Sequence, residues 1–116
     1  METGGLRYND GKPQWNLLDW DALIPLIKVL EYGAKKYDAH NWKKGLSYTS
    51  TSDSLMRHLI SFMNGEDLDK ESGLPHVGHI LANALFLSYY YQFKKEFDDR
   101  YNDKNKVEQT IKLENE

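Results

Sequence analysis

From Ile80 to Phe93 apolar side chains occupy more than one side of a helical repeat. A surface helix carries a single apolar stripe, so this segment must be buried against two partners at once. The chain has 116 residues, which leaves little room for a second domain, and the two partners must come from the same small unit or from another copy. Two further stretches show helical spacing. The first runs from about Asp19–Asp21 to Tyr37, with Leu23, Leu26 or Ile27, Leu30, Ala34 and Tyr37 on its buried face. Pro25 falls in its first turn, where a missing N–H costs little, or else kinks the helix. The second helix takes its cap from Ser50-Thr51-Ser52-Asp53, turns Leu55, Leu59, Phe62 and Met63 inward, and stops at Asn64-Gly65. The third is capped by Ser72, has Pro75 in its first turn and reaches about Asp98, with Val77, Leu81, Ala84, Leu85, Tyr89 and Phe93 along it. Strand-like alternation is missing. The fold expected is an all-α bundle of about three main helices, its core completed by oligomerisation. The helical domain spans 1–98, and residues 1–15 form an ordered, glycine-bearing arm. Residues 99–116 form a polar tail, disordered or weakly helical through Val107 and Ile111.

Composition removes several function classes. Cysteine is absent, which excludes disulfides, thiol catalysis, Fe–S clusters and Cys-ligated zinc. The net charge of −3 gives no general footprint for duplex nucleic acid. Apolar runs are too short for a membrane span, and no basic-then-apolar leader opens the sequence, so a cytoplasmic location is expected. His-Asp, GxSxG, GxGxxG and HExxH are all missing.

Four clusters can carry chemistry. His76, His79 and Asn83 stand at i, i+3 and i+7, on one helix face beside the acidic loop with Glu66, Asp67 and Asp69. Imidazoles and carboxylates converging there would bind a divalent metal; otherwise they are solvated polar groups near a helix start. Arg57-His58 lies mid-way along the second helix, where one of the two must flank the core. The arginine can grip a phosphate or form a salt bridge. Glu31 and Lys35 form an i, i+4 pair, either an ordinary helix pair or a metal carboxylate with a phosphate-binding lysine. Gly4 to Pro13 places glycines beside Arg7 and Lys12, but the spacing is not that of a P-loop, and Pro13 stands where its Ser/Thr would be.

Taken together, GLRYNDGKPQWNLL (5–18), LEYGAKKYDAHNWKKG (30–45), SLMRHL (54–59) and NGEDLDKESGLPHVGHILANALFL (64–87) resemble the phage dATP/dGTP diphosphohydrolase-like family. The resemblance covers most of residues 4–90. It implies an all-α fold related to MazG-like nucleoside triphosphate pyrophosphohydrolases. It also implies conversion of a purine dNTP to the monophosphate with Mg²⁺ or Mn²⁺, in phage nucleotide-pool metabolism and hence in the host cytoplasm. The matching positions are Glu31, Lys35 and Lys36; Asn41 and Trp42; Arg57 and His58; Glu66, Asp67 and Asp69; and His76, His79 and Asn83. One departure stands out. The wider superfamily holds its metals with ExxE and ExxD on helices. Here Ala34 follows Glu31 at +3, and Glu66 and Asp69 meet ExxD only on a loop.

The reading that follows is an enzyme. Glu31, Asp67, Asp69, His76 and His79 supply metal ligands in some subset, and Glu66 is the general base. Lys12, Lys35, Arg57 and His58 lie on the substrate side, the cations holding phosphate oxygens. Tyr37 or Trp42 stacks on the base, and Asn41 or Asn83 reads base or sugar. Two alternatives remain: a non-catalytic protein that binds or sequesters a nucleotide signal, motivated by the broken ExxE, and a helical interaction module, motivated by Tyr89-Tyr90-Tyr91.

Overall fold

The computed structural model describes residues 4–102. Three α-helices make up the body: α1, Ile24–Lys36; α2, Tyr48–Met63; and α3, His76–Phe93. Short 3-10 turns flank them at Trp15–Leu17, Asp21–Leu23, Asn41–Lys44 and Lys95–Phe97. Leu68 and Pro75 form an isolated antiparallel bridge, and no strand occurs among the described residues. The all-α expectation therefore holds.

α3 is the centre of the bundle, with both α1 and α2 packed on it. This is the two-sided burial that its composition requires. Leu26 and Val29 of α1 meet Ala82 of α3, with Leu23, Leu30, Leu81, Leu85 and Phe86 closing round them. The approach is close at Gly78, where a Cβ would stand 2.5 Å from the Pro25 carbonyl oxygen. Pro25 does lie in the first turn of α1.

On the other side the contact is aromatic. Tyr90 is fully buried; its hydroxyl donates to the Trp42 carbonyl at 2.6 Å, while the Tyr48 hydroxyl donates to the Tyr90 carbonyl at 3.0 Å. Two hydrogen bonds thus tie the α1–α2 linker and the start of α2 to the end of α3. Burial pushes the Tyr90 hydroxyl up to about 12. The three consecutive tyrosines separate: Tyr90 goes inward, Tyr89 packs on Trp42 and Phe93, and Tyr91 stays exposed.

Several element ends and faces differ from expectation. α2 starts at Tyr48, because the Ser47 hydroxyl accepts the Ser50 N–H and caps the helix three residues before the expected run. It stops at Asn64-Gly65 as expected, with Gly65 at φ 94°. Its buried residues are Tyr48 and Thr51; Leu55 and Leu59 are half-buried, and Phe62 and Met63 are exposed. Thr51 can be buried because its hydroxyl donates to the Ser47 carbonyl. On α1, Ala34, Tyr37 and Ile27 are exposed, and Val29 is inside instead. Ser72 does not cap α3; Pro75 precedes the helix with no side-chain cap, and α3 ends at Phe93 rather than near Asp98. On α3, Ala84 and Phe93 are exposed. Asp99 accepts the Thr49 N–H and hydroxyl, so chain beyond residue 98 docks on the first turn of α2. The rest of the tail, with Val107 and Ile111, lies outside the described residues.

Two glycine substitutions should move stability in opposite directions. Gly78→Ala forces a Cβ against the α1 backbone and should cost about 1–3 kcal/mol. Gly33→Ala, mid-helix with nothing within 4 Å, should gain up to about 1 kcal/mol from helix propensity. Urea unfolding of the two variants measures both, and equal effects would contradict this packing.

Candidate functional site

α1 and α2 flank α3 with a groove of about 880 Å³ between them. Its floor is Ala82, Asn83 and Phe86 of α3. Tyr37 and the 38–46 linker line one side, and Ser54 and His58 of α2 line the other. Trp42 stacks on Phe86 at 4.8 Å and meets Tyr89 edge-on, so it is a fixed wall. The linker reaches this position through His40, at φ 64°, and Gly45, at φ 109°. Any Cβ at 45 would overlap the Phe97 ring.

One end of the groove is closed by an imidazole–carboxylate cluster. The 66–75 loop folds back on itself: Asp69 N–H donates to the Leu74 carbonyl at 2.8 Å and His76 N–H to the Asp67 carbonyl at 2.9 Å. The fold-back carries Glu66, Asp69 and Ser72 onto the first turn of α3. His76 is 2% exposed, with its Nε2 3.2 Å from Glu66 Oε1 and its Nδ1 2.9 Å from His58 Nδ1. The His58 ring stacks flat on His79 at 4.3 Å. His79 Nε2 lies 2.7 Å from Ser72 Oγ and 3.8 Å from Asp69 Oδ2. Ser72 N–H donates to Asp69 Oδ2 at 2.8 Å. One ligand atom each from His58, Asp69 and His76 falls within 4.8 Å of the others.

The electrostatics follow from this crowding. Burial, then the neighbouring His79, pushes the His58 imidazole below its ordinary value of 6.5. Burial also lowers His79, more than the nearby Asp69 carboxylate raises it. For Asp69 burial acts upward, but the Ser72 backbone N–H and hydroxyl, with His79, hold the carboxyl below 3.8. His58 and His79 are thus biased toward the neutral form beside an Asp69 biased toward the ionised one, the forms in which these side chains can ligate a metal.

The structure sorts the expected residues. Asp69, His76 and His79 converge, with Glu66 on the outer side of His76. His58, expected on the substrate side, belongs to this cluster, and it is the member of Arg57-His58 that flanks the core. Asp67 is exposed and joins only through its backbone carbonyl. Glu31 is exposed on the groove, outside the cluster. Tyr37, Asn41, Trp42 and Asn83 line the groove. Asn83 donates to Ser54 Oγ and the His79 carbonyl, bracing α2 against α3. Lys12, Lys35 and Arg57 are exposed and do not line the groove. The cations that do are Lys36, Lys43 and Lys44. Lys36 pairs with Glu71 at 3.3 Å, while Lys43 lies over the Trp42 and Tyr89 rings. Ser72 was expected only as a helix cap and Lys43 was not singled out; the basic run Lys43-Lys44 after Trp42 was the available signal for the second.

An all-α bundle in which α2, α3 and the 66–75 loop bring imidazoles and a carboxylate to one end of a groove has the layout of a small-ligand site. The sequence profile of the family described as "dATP/dGTP diphosphohydrolase, N-terminal" matches residues 2–100, and the chain belongs to that family. A dATP/dGTP diphosphohydrolase from Salmonella phage PMBT28 is 29% identical over 96 residues, covering 83% of this chain and 33% of that protein. The chain spans about a third of the length of that relative. No solved structure is significantly similar to it. No helix among the described residues is long and apolar enough to cross a membrane.

The lowered imidazoles fix a sign for pH. A group that binds protons more weakly folded than unfolded lends stability that is present above its unfolded value and is lost as pH falls through the folded one. In metal-free protein the urea midpoint should be flat above about pH 7 and decline below about 6.5, from His58 and His79. Asp69 acts in the same sense only below 3.8. A double His58→Asn, His79→Asn variant should flatten the decline; a midpoint that rises on acidification would contradict the assignment.

Proposed function

We propose that the chain carries a metal-dependent site that hydrolyses a purine deoxynucleoside triphosphate to the monophosphate and pyrophosphate. The carrying observation is the position of the imidazole–carboxylate cluster at the end of a groove rimmed by lysines and aromatics. Family membership and the named activity of the phage relative support the same reaction class.

His58, His76 and Asp69 would hold the divalent ion, which supplies an activated water and offsets phosphate charge when bound. The donors fit Mn²⁺, which accepts imidazole, better than Mg²⁺, which prefers oxygen. Glu66 accepts from His76 Nε2–H, so its part is to orient that ring rather than to act as base. His79 lines the groove and is kept neutral by burial, which suits it to receive a proton from an attacking water. Lys36, Lys43 and Lys44 replace Lys12, Lys35 and Arg57 as the phosphate-facing cations. Trp42 has Phe86 on its ring, so Tyr37, 61% exposed at the groove, is the better base platform. A second reading, binding without turnover, is favoured by the missing ExxE, since Ala34 stands at +3 from Glu31.

The test incubates the full chain with each dNTP and NTP, with Mn²⁺ and then Mg²⁺, and resolves products by ion exchange. A purine dNMP with pyrophosphate is expected. Asp69→Asn should lower turnover on the order of 100-fold or more, and Asp53→Asn, exposed on α2 outside the groove, should leave it unchanged within about 3-fold. Nucleotide recovered intact from a tight complex would replace hydrolysis with sequestration.

We also infer self-association. The described residues bury only Leu26, Val29, Tyr48, Ala82 and Tyr90 as a core, while Trp15, Leu17, Trp20, Ile24 and Ile27 stay exposed along the arm and α1. So small a core is marginal alone, and a second copy of the same chain would cover this face. Light scattering should give at least a dimer, and Trp20→Glu with Ile27→Glu should shift it to monomer; a wild-type monomer would contradict this.

A further inference from the structure

We infer that the cluster is selective for a divalent transition ion that takes imidazole ligands, of the Mn²⁺, Co²⁺ or Zn²⁺ kind, over Mg²⁺. The inference rests on the proposed metal-dependent reading and deepens it.

His76 is 2% exposed, so neither of its nitrogens can be left to water. A neutral imidazole donates from one nitrogen and accepts at the other. In the neutral form that a metal ligand must take, His76 carries its hydrogen on Nε2, which faces the acceptor Glu66 Oε1 at 3.2 Å. The lone pair of His76 then lies on Nδ1, facing His58 Nδ1 at 2.9 Å. Two nitrogens this close need a positive centre between them, either the proton of a His58 Nδ1–H or a cation. Two nitrogens bound to one tetrahedral ion stand roughly 3.3 Å apart, so a shared ion asks for an opening of only a few tenths of an ångström.

The outer contacts are those of a metal centre. A carboxylate on the far nitrogen of a ligating histidine fixes its tautomer and raises its basicity, as Glu66 does for His76. Asp69, the third ligand, is held by the Ser72 N–H at 2.8 Å. Two imidazoles and one carboxylate leave open positions for water or a phosphate oxygen, and His58 and Asp69 both line the groove. Mg²⁺ demands oxygen donors and gives up its waters reluctantly, so a site with two nitrogens in three ligands discriminates against it.

The test strips the full chain with a chelator and titrates Co²⁺, following its visible absorption, without nucleotide. One equivalent should give a saturating band. An equimolar amount of Zn²⁺ should abolish it, and a hundredfold excess of Mg²⁺ should leave it in place. Glu66→Gln should weaken Co²⁺ by about 10- to 100-fold, and His58→Gln should remove the band, each with unchanged helical circular dichroism. Wild-type protein that shows no Co²⁺ band, or loses it to Mg²⁺ at equal concentration, overturns the inference even if every variant misfolds. Hydrolysis with Mg²⁺ and no Co²⁺ site would sink this selectivity and leave the hydrolase reading standing. A Co²⁺ site without hydrolysis would support the selectivity and count against the hydrolase.

Discussion

A buried imidazole sets the terms for this molecule. His76 sits in the first turn of α3, the helix that both other helices pack against, and almost none of it reaches solvent. Removing both ring nitrogens from water without partners would cost several kcal/mol, on the order of a marginal domain's whole stability. The fold therefore brings His58 from α2 to one nitrogen and Glu66 from the 66–75 loop to the other. Among the described residues no buried side-chain nitrogen or oxygen lacks a partner. The same solution places Asp69 and Ser72 against His79. A stability requirement and a candidate metal site are thus met by one set of contacts.

The opposite end of α3 solves a different problem. The 38–46 linker is polar and glycine-bearing, yet it must form a fixed groove wall. Tyr90 and Tyr48 provide the anchor by hydrogen-bonding to backbone carbonyls, and Trp42 is pinned against Phe86. The groove is held open between two rigid ends, one polar and one aromatic. The groove lies between α1 and α2, which pack mainly on α3 and little on each other.

Much of the helix layout was legible in the sequence. Three segments with helical periodicity, the stop at Asn64-Gly65 and Pro25 in a first turn each depend on neighbouring residues alone, and local rules suffice for them. Expectation and structure part where a polar side chain takes a partner that its residue type does not dictate. Ser72 has the chemistry of a cap, but its hydroxyl meets His79 seven residues on. Thr51 looked like a cap and is instead buried, since its hydroxyl bonds back to Ser47. In the site, the i, i+3, i+7 face of His76, His79 and Asn83 was legible because it lies on one helix. The convergence of His58 was not, because it depends on how α2 crosses α3. Of Lys35 and Lys36 only Lys36 lines the groove, which depends on a helix rotation that the i, i+4 pairing with Glu31 does not set. The family was legible from four ordered segments, and where the sequence departs from ExxE the structure gathers His58, His76 and Asp69 as candidate ligands.

The most direct test is a crystal of the full chain grown with Mn²⁺ and a non-hydrolysable purine dNTP analogue, with diffraction recorded at the manganese edge. The account predicts an anomalous peak bonded to His58, His76 and Asp69, with the triphosphate running from it along the groove toward Lys43 and Lys44. A peak held by Glu31 or other carboxylates with the histidine cluster empty, or a nucleotide bound outside the groove, would contradict it.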